Sequence, residues 1–572
     1  MPMTPNAIIL AAGKSNRFAP FTYEKPKGLF RVKNEILIER QIEQLIEAGV
    51  DEIYVVVGYM KEKFFYLEQK YPQVRLLVNN KFGAKGNLYS LYVAKDYLRN
   101  SYVTYADYYF AQNPFIQDFR EGHRCGSYHA CIYRKGKFAE FSAQQSDAHI
   151  ITHVGVGGQD QMAMIGHAYL TESFSSRLVQ LLESEINEFR VSSLFWEEYF
   201  ERHIRELTLS LREYGADEIM EFNTIDDLRQ FDADFLYNVD SEIIQHICDT
   251  LHCNPNDISD IAVINAGLTN VSFKFTVGGI EYVYRHPGGT AGNLINRTAE
   301  MFSQLTAKSI GIDESVITMT LGGWKLSYCV QDLVECDFRK HPHQLDKGME
   351  YLRRMHAVEV DPASIKKKFA EIADTMPMTA QEKEIYLDAL VRVDTDQLVK
   401  EFDDVQEGLK LMRIASLTKG NLIKEFATEI EKVQQLDAYV KADAERLGYR
   451  KVCCHNDTYE PNFLATRQGG LYLIDWEYAG LNYAANDLAC FFCRYMYTDD
   501  EIETFLRSYF QRELTADEHR FYIAYIAICG FYWMGWGLYK GSVGDDDGFF
   551  FLPAYRNFHR FIDTALNSYQ DK

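Results

Sequence analysis

"CCHNDTYEPNFL", residues 453–464, sets a histidine, an aspartate and an asparagine in the spacing H-x-D-x-x-x-x-N. Asp and Asn are poor residues for helices and strands, so this stretch predicts a loop. The preceding "RKVCC" reads as a strand entering it. Downstream, "LYLIDWEYAG" carries an apolar strand, Leu471 to Ile474, that ends on Asp475. Two strands would thus deliver Asp457, Asn462 and Asp475 to one edge. That set suits a magnesium–phosphate site with one aspartate left to take a proton.

A single loop does not account for 572 residues. That length corresponds to roughly three to four domain-sized units. With 47% apolar and 25% charged residues the composition is that of a globular protein, rich in Tyr and Phe at 38 and 37. The net charge is −22, from 60 basic and 82 acidic side chains. Such a surface repels nucleic acid and anionic membrane, and it suits a small cationic ligand. The N-terminal "MPMTPNAIILAAGKSNRF" has no secretory pattern, and its apolar run is too short for a signal core or a membrane span. No later segment is expected to reach spanning length without charges, so no membrane insertion is expected. The 11 cysteines are scattered. Cys490 and Cys493 form a C-x-x-C inside the aromatic stretch "NDLACFFCRYMY", where buried thiols are expected in place of zinc or redox chemistry. A reduced cytoplasmic protein is the simplest reading.

The first 110 residues alternate strand and helix. "AIILA", "DEIYVVVGY", "VRLLVNN" and "SYVTYADYYF" read as strands, and "ILIERQIEQLIEAG" places Ile38, Ile42, Leu45 and Ile46 on one helical face before Gly49 stops it. This repetition predicts a mostly parallel sheet with helices on its faces. "EIMEFNTIDDLRQFD" reads as the strand and helix that close the unit. The pattern changes at residues 236–242. "INAGLTNVSFKFTVGGIEYVYRHPGG" then reads as antiparallel strands with Gly-rich turns, and the chain beyond about residue 340 as mainly helical. The expected division is 1–237 and 238–572, the latter with an N-lobe of about 238–335 and a C-lobe of about 336–572.

"LAAGKSNRFAPFTYEKPKGLF" follows the first strand directly. Ala11, Ala12 and Gly13 let the backbone approach a ligand, and successive N–H groups there form an anion cradle. Lys14, Arg17, Lys25 and Lys27 add positive charge, and a nucleoside triphosphate is the natural occupant. The Walker spacing G-x-x-x-x-G-K-[ST] is absent. A tight turn with surface lysines is the competing reading, and Arg17 with Pro26-Lys27 at their spacings disfavours it.

"ILAAGKSNRF…KPKGL" resembles the signature of nucleotidyltransferases that join a phosphate to a nucleotide α-phosphate and release pyrophosphate. "NNKFGAKGNLYSLYVAKDYLRNSYVTYADYYF" narrows the resemblance to bacterial CTP:phosphocholine cytidylyltransferases, over roughly residues 5–235. The resemblance implies a Rossmann-like α/β fold and CTP as co-substrate. It implies nucleotide contacts from Ala11, Ala12, Gly13, Lys14 and Asn87, and catalytic charge from Arg17 and Lys27. It implies Mg²⁺ on Asp107 and on Asn223 of Glu221-Phe222-Asn223, where the closest relatives are expected to carry Asp. Ser15 stands where a glycine is common. Transfer of this kind runs on positioning and electrostatics, without a protein nucleophile. For a trimethylammonium end, "SLFWEEYF" offers Phe195, Trp196 and Glu197, with Glu221 as a second acid; an aromatic helix packed in a core is the competing reading.

"HNDTYEPN" followed by "IDWEYAG" resembles choline and ethanolamine kinases, within the aminoglycoside-phosphotransferase-like branch of the kinase fold, from about residue 240 to the C-terminus. The resemblance implies an α+β bilobal domain that uses ATP. Asp457 would be the catalytic base, Asn462 and Asp475 would hold Mg²⁺, and His455 would brace the loop. "AGLTNVSFKF" would cover the phosphates with Thr269 and Asn270 at its tip. Arg285 of "YVYRHPG" would take the place of the phosphate-gripping lysine, with Glu300 of "NLINRTAE" as its ion-pair partner. "YCVQDLVE" would face adenine. Glu477 and the pair Trp533 and Trp536, three residues apart on one helical face, would surround the ammonium. Phe549 to Phe551 stand where such kinases place tyrosines, and Asp545 to Asp547 form an acidic loop.

The favoured reading is a bifunctional enzyme that makes phosphocholine from choline and ATP, then CDP-choline and pyrophosphate from phosphocholine and CTP. The same reactions on ethanolamine or another amino alcohol are the nearest alternative. A sugar-phosphate nucleotidyltransferase joined to an aminoglycoside-type kinase is the next, and a non-catalytic scaffold the last. The intact Asp457, Asn462, Asp475, Lys27 and Asp107 oppose the scaffold. The partners expected are these small molecules, with the oligomeric state left open.

Overall fold

The computed structural model describes residues 4–83, 86–116, 126–264, 270–287, 295–320, 322–374, 380–392, 394–544 and 548–570. The chain forms two compact units, Met1–Val263 and Ile264–Lys572. They part within the strand Ile258–Ile264. The helix Glu242–Leu251 is held to the first unit by Glu24, which accepts hydrogen bonds from Ser241 Oγ and the Ile243 amide.

Four parallel strands make the core of the first unit, in the order Ser101–Tyr105, Asn6–Ala11, Ile53–Val57, Val74–Val78. Every residue of Asn6–Ala11 is buried, as a central parallel strand covered on both faces requires. The helix Leu37–Glu47 turns Ile38, Ile42 and Leu45 onto this sheet, and the chain leaves it through Gly49 at φ 88°. Beyond Ser101–Tyr105 the sheet becomes antiparallel. Ala168–Leu170 pairs with it on one side and with the long strand Tyr128–Gln145 on the other. Tyr128–Gln145 in turn forms a hairpin with Ile151–Ala163 and pairs in parallel with Ser210–Tyr214.

"SYVTYADYYF" is two strands. The chain turns at Ala106 and Asp107, and Tyr108–Phe110 leaves the main sheet to pair with Ile219–Glu221. The turn puts Asp107 at a strand end, and the pairing brings Glu221 opposite Tyr108.

The second unit opens with the hairpin Asn270–Val277 and Ile280–Pro287, which turns on Gly278 and Gly279 at φ 59° and 80°. Two consecutive residues at positive φ match the right-handed twist of the strands, and only glycine holds them without strain. Lys325–Tyr328 and Val316–Met319 extend this antiparallel sheet. The rest is mainly helical, around a core that includes Trp476, Phe491 and Trp533.

The helix Ala516–Ser542 corrects one expectation. Its run from Phe521 to Tyr539 carries no charged side chain. It is long and apolar enough to cross a membrane by length and composition, and 89% of its most apolar window is buried inside the unit. It reads as a core helix, flanked by Asp404–Lys419, Ala484–Arg494 and Gly548–Gln570. The described cysteines are free thiols, Cys490 and Cys493 both buried.

Candidate functional sites

In the first unit, Ala11 and Ala12 are buried at the end of the first strand, while Gly13, Lys14 and Arg17 are exposed on the loop. Among the described residues no neighbouring atom lies within 4 Å of where a Cβ on Gly13 would stand, so the loop has room for a ligand there. Ser15 holds φ 49°, a left-handed conformation that glycine adopts more cheaply.

Lys27 begins the turn Lys27–Leu29. A Cβ on Gly28 would stand 2.8 Å from that of Ala106, so glycine allows the turn to close on the strand end. Lys27 thereby reaches Asp107 Oδ2 at 2.8 Å and the Phe222 carbonyl at 2.6 Å. The Phe18 ring lies 4.2 Å from its ammonium, and the Lys27 side chain is 5% exposed. Burial pushes Glu221 up to about 7; the charge of Asp107 acts in the same direction and Lys27 opposes it. Asn223 donates to Glu140 Oε1 at 2.9 Å through its amide nitrogen. The Asp107 and Glu221 carboxylates and the side-chain amide of Asn223 offer hard oxygen donors of the kind magnesium takes.

A third acid, Glu197, is buried. Gly86 presses on the 192–194 segment, where an added Cβ would stand 2.2 Å from the Leu194 carbonyl oxygen. The close approach lets Asn87 accept from the Trp196 amide at 2.9 Å and donate to the Tyr105 hydroxyl at 2.5 Å. Tyr105 in turn donates to Glu197 Oε1 at 2.7 Å. The second oxygen of Glu197 is buried and makes no hydrogen bond of normal geometry among the described residues. Burial pushes this carboxyl up to about 7, against the Tyr105 hydrogen bond. Asn87 therefore supports the acid and does not stand open on the loop. Trp196 is buried and stacks on His129, with ring centres 5.5 Å apart, so the core takes it; Phe195 is 48% exposed and leans on Phe141. The aromatic neighbours of the acids are instead Tyr105 and Tyr108, the latter within electrostatic reach of Glu221, Glu197 and Asp107. Sequence reasoning passed over both, although they flank Asp107 in "YADYY".

In the second unit the strand Val452–Cys454 delivers the loop, and the buried Asp487 holds it open. Asp487 accepts from the His455 amide at 2.9 Å, the Asn456 amide at 2.7 Å and His356 Nε2 at 3.0 Å. His455 donates from Nε2 to the Ile474 carbonyl at 2.9 Å and accepts from the Asp457 amide at Nδ1. Both ring nitrogens are used, so His455 braces the loop. Asp457 accepts from Arg494 Nη2 at 2.5 Å and from Asn462 Nδ2 at 3.3 Å. Burial holds its carboxyl above the ordinary range although Arg494 pulls it down. Asn462 spends its amide nitrogen on Asp457, which leaves the amide oxygen as the atom that could ligate a cation. Asp475 sits in the left-handed region at φ 64°, with its side chain 38% exposed.

Arg285 and Glu300 meet as an ion pair, and Arg285 Nη1 lies 3.7 Å from Asp475 Oδ1. Arg285 also donates to the Gly323 carbonyl at 3.0 Å, while its buried Nε and Nη1 have no hydrogen-bond partner among the described residues. Buried guanidinium N–H groups without a hydrogen-bond acceptor suit an anion. Burial alone would raise Glu300; the guanidiniums of Arg285 and Arg297 outweigh it and hold the carboxyl below its usual range. Lys325, also buried, is tied to Gln304 at 3.0 Å. Glu477 is buried, close enough for its charge to act on Arg285. Trp533 and Trp536 are buried 5.5 Å apart, centre to centre. Arg494 and Lys325 were not found from the sequence, because a basic residue within an apolar run gives no spacing signal. Thr269, Asp545 to Asp547 and the side chains of Asn270, Phe549 and Phe550 lie outside the described residues.

Residues 7–189 match the family described as MobA-like NTP transferase domain, and residues 261–530 match choline/ethanolamine kinase. A 2-aminoethylphosphonate cytidylyltransferase of Lancefieldella rimae is 35% identical over 236 residues, 41% of this chain and 94% of the relative. A choline-phosphate cytidylyltransferase of Streptococcus pneumoniae is 33% identical over 226 residues, 40% of this chain and 96% of the relative. The crystal structure of the choline kinase LicA from Streptococcus pneumoniae is 21% identical over 58% of this chain and 99% of that one, with a TM-score of 0.40.

Proposed function

Because this chain belongs to the cytidylyltransferase-type nucleotidyltransferases through its first unit and carries a choline/ethanolamine kinase domain in its second, we propose that it works in two consecutive steps. The kinase unit phosphorylates a small amino alcohol with ATP. The nucleotidyltransferase unit then joins the phosphomonoester to CMP from CTP and releases pyrophosphate. Choline, giving phosphocholine and CDP-choline, is one reading of the alcohol.

The observation that carries this reading recurs in both units. A strand-end aspartate is held beside a basic side chain, Asp107 beside Lys27 and Asp475 beside Arg285. Acid and base together suit a site that handles phosphate with a divalent cation. Asp107, Glu221 and Asn223 would hold Mg²⁺ in one unit, and Asn462 and Asp475 in the other. Bound there, the ion supplies positive charge to phosphate oxygens. Lys27 and the exposed Arg17 add fixed charge for the triphosphate, while Arg285 does so in the kinase unit. Asp457 takes the proton of the acceptor hydroxyl. Glu197, with its unsatisfied oxygen, draws the ammonium end of the phosphomonoester.

Ethanolamine is the second reading, favoured by the position of Arg494 on Trp533, 3.6 Å from the ring centre. The test is product analysis on the full chain with ATP, CTP, Mg²⁺ and either alcohol, and separately with CTP and phosphocholine or phosphoethanolamine. A CDP-linked product formed through the phosphomonoester is expected. No CDP product from either supplied phosphomonoester would remove the assignment of the first unit.

A further inference from the structure

Each indole of the Trp533 and Trp536 pair already faces a cation of the protein. The Arg494 guanidinium lies 3.6 Å from the Trp533 ring centre, 4.9 Å from Tyr459 and 5.9 Å from Trp536. The Lys540 ammonium lies 5.7 Å from Trp536. Trp536 spends its N–H on the Tyr478 hydroxyl at 3.0 Å. Arg494 and Lys540 are both buried, Arg494 as the last residue of the helix Ala484–Arg494. From there it bridges the aromatic faces to Asp457, 2.5 Å away.

A quaternary ammonium has no N–H to donate. Its recognition rests on aromatic faces and on the charge of a nearby carboxylate. Arg494 already uses the Trp533 face and the Asp457 charge; its repulsion acts on quaternary and primary ammonium alike, so the covered ring face is what separates them. A primary ammonium carries three N–H donors and binds through acceptor oxygens, so it does not depend on the indole faces.

We propose that Arg494 determines the head group of the kinase unit's acceptor: seated between Trp533 and Asp457, it turns away a quaternary ammonium and leaves primary-amine alcohols as the favoured class. This inference rests on the amino-alcohol kinase reading and sharpens it. Arg494 acts on the substrate through the ring face it covers and the charge it cancels.

The test compares Arg494→Met and Arg494→Lys with the wild-type full chain, measuring kcat and KM for choline and for ethanolamine with ATP and Mg²⁺. In the wild type, kcat/KM is expected to be higher for ethanolamine. Arg494→Met should raise the choline-to-ethanolamine ratio about tenfold, chiefly through a lower choline KM, as an uncovered indole face would. Arg494→Lys keeps a cation near the ring and should stay within about threefold of the wild type. An unchanged ratio in Arg494→Met, or a choline KM that rises, overturns the proposal while the kinase reading stands. Absence of phosphorylation of both alcohols by the wild type overturns both. Should Arg494→Met fail to fold, tetramethylammonium serves as a probe of the wild type during ethanolamine phosphorylation. No competition is expected, and competitive inhibition at low millimolar concentration overturns the assignment.

Discussion

Lys27 donates to Asp107 across 2.8 Å and to the Phe222 carbonyl across 2.6 Å, so one side chain ties the loop after the first strand to both elements that carry the acids. Removing the ammonium leaves Asp107 and Glu221 facing each other without their nearest cation. It also removes fixed charge from the place where the triphosphate is expected. Lys27→Met should therefore lower cytidylyl transfer roughly 10²–10³-fold. Kinase turnover of the same preparation serves as the control for folding and should hold. A transfer rate within about tenfold of wild type would take Lys27 out of the reaction.

Glu197 makes the first unit's stability depend on pH. Burial moves its carboxyl from the ordinary 4.5 up to about 7. The folded state thus binds this proton more tightly than the unfolded chain does. The contribution is full below about pH 4.5 and is lost as pH rises through about 7. Glu197→Gln has nothing to lose over that window. Its gain over wild type should be small at pH 5 and approach about 3 kcal/mol at pH 8, at 1.36 kcal/mol per unit. Thermal unfolding at the two pH values measures it, and equal shifts at both would contradict the cause given. The same variant should raise KM for the phosphomonoester, since the buried acid is lost.

Much of this was legible in the residues, for reasons of spacing. The parallel strands are continuous apolar runs, and the helix between them repeats at three and four residues, so neither needed tertiary context. H-x-D-x-x-x-x-N and the strand before Asp475 placed a loop and an acid because Asn and Asp resist regular structure. What the sequence hid lies where side chains turn. Trp196 and Glu197 are neighbours in the chain, yet one stacks on His129 in the core and the other reaches Tyr105. Arg494 sits within "CFFCRYMY", where an isolated basic residue reads as a surface charge, and it became visible only once Asp457 was placed beside it. The uncharged run of Ala516–Ser542 was overlooked because its flanks carry Asp, Glu, Arg and Lys.

Asp487 holds the loop that leads into Asp457. It accepts from two consecutive backbone amides, His455 and Asn456, and from His356. Asp487→Ala would leave those donors buried and unpaired, at a cost of about 3 kcal/mol. The kinase unit should unfold at a lower temperature and lose turnover, while transfer from CTP to supplied phosphomonoester persists. Normal kinase activity with an unshifted transition would show that the loop keeps its shape by other means.

Asp457→Asn separates the two steps. The amide oxygen still accepts from Arg494, so the local fold should survive, but the proton acceptor is gone. Phosphorylation should fall roughly 10²–10⁴-fold with KM for ATP little changed. CDP product should then form from the supplied phosphomonoester and no longer from the free alcohol. Product formed from the alcohol at the wild-type rate would assign the base elsewhere.

Gly86 tests whether the alignment of Asn87, Tyr105 and Glu197 is built by close backbone contact. A Cβ at residue 86 would stand 2.2 Å from the Leu194 carbonyl oxygen and 2.5 Å from that of Ser193. Neither is the end of a flexible side chain, so the backbone itself must separate. The two hydrogen bonds that cross this contact, Gly86 amide to Ser192 carbonyl at 3.0 Å and Leu88 amide to Leu194 carbonyl at 3.3 Å, would lengthen or break. Asn87 would then lose its grip on the Trp196 amide, and Tyr105 would lose the partner that orients it toward Glu197. Gly86→Ala should destabilise the first unit by about 1–3 kcal/mol and raise KM for the phosphomonoester more than KM for CTP. Steady-state titration of each substrate resolves the two constants. Equal loss for both substrates would show that the contact supports the whole unit, with no special tie to the acid.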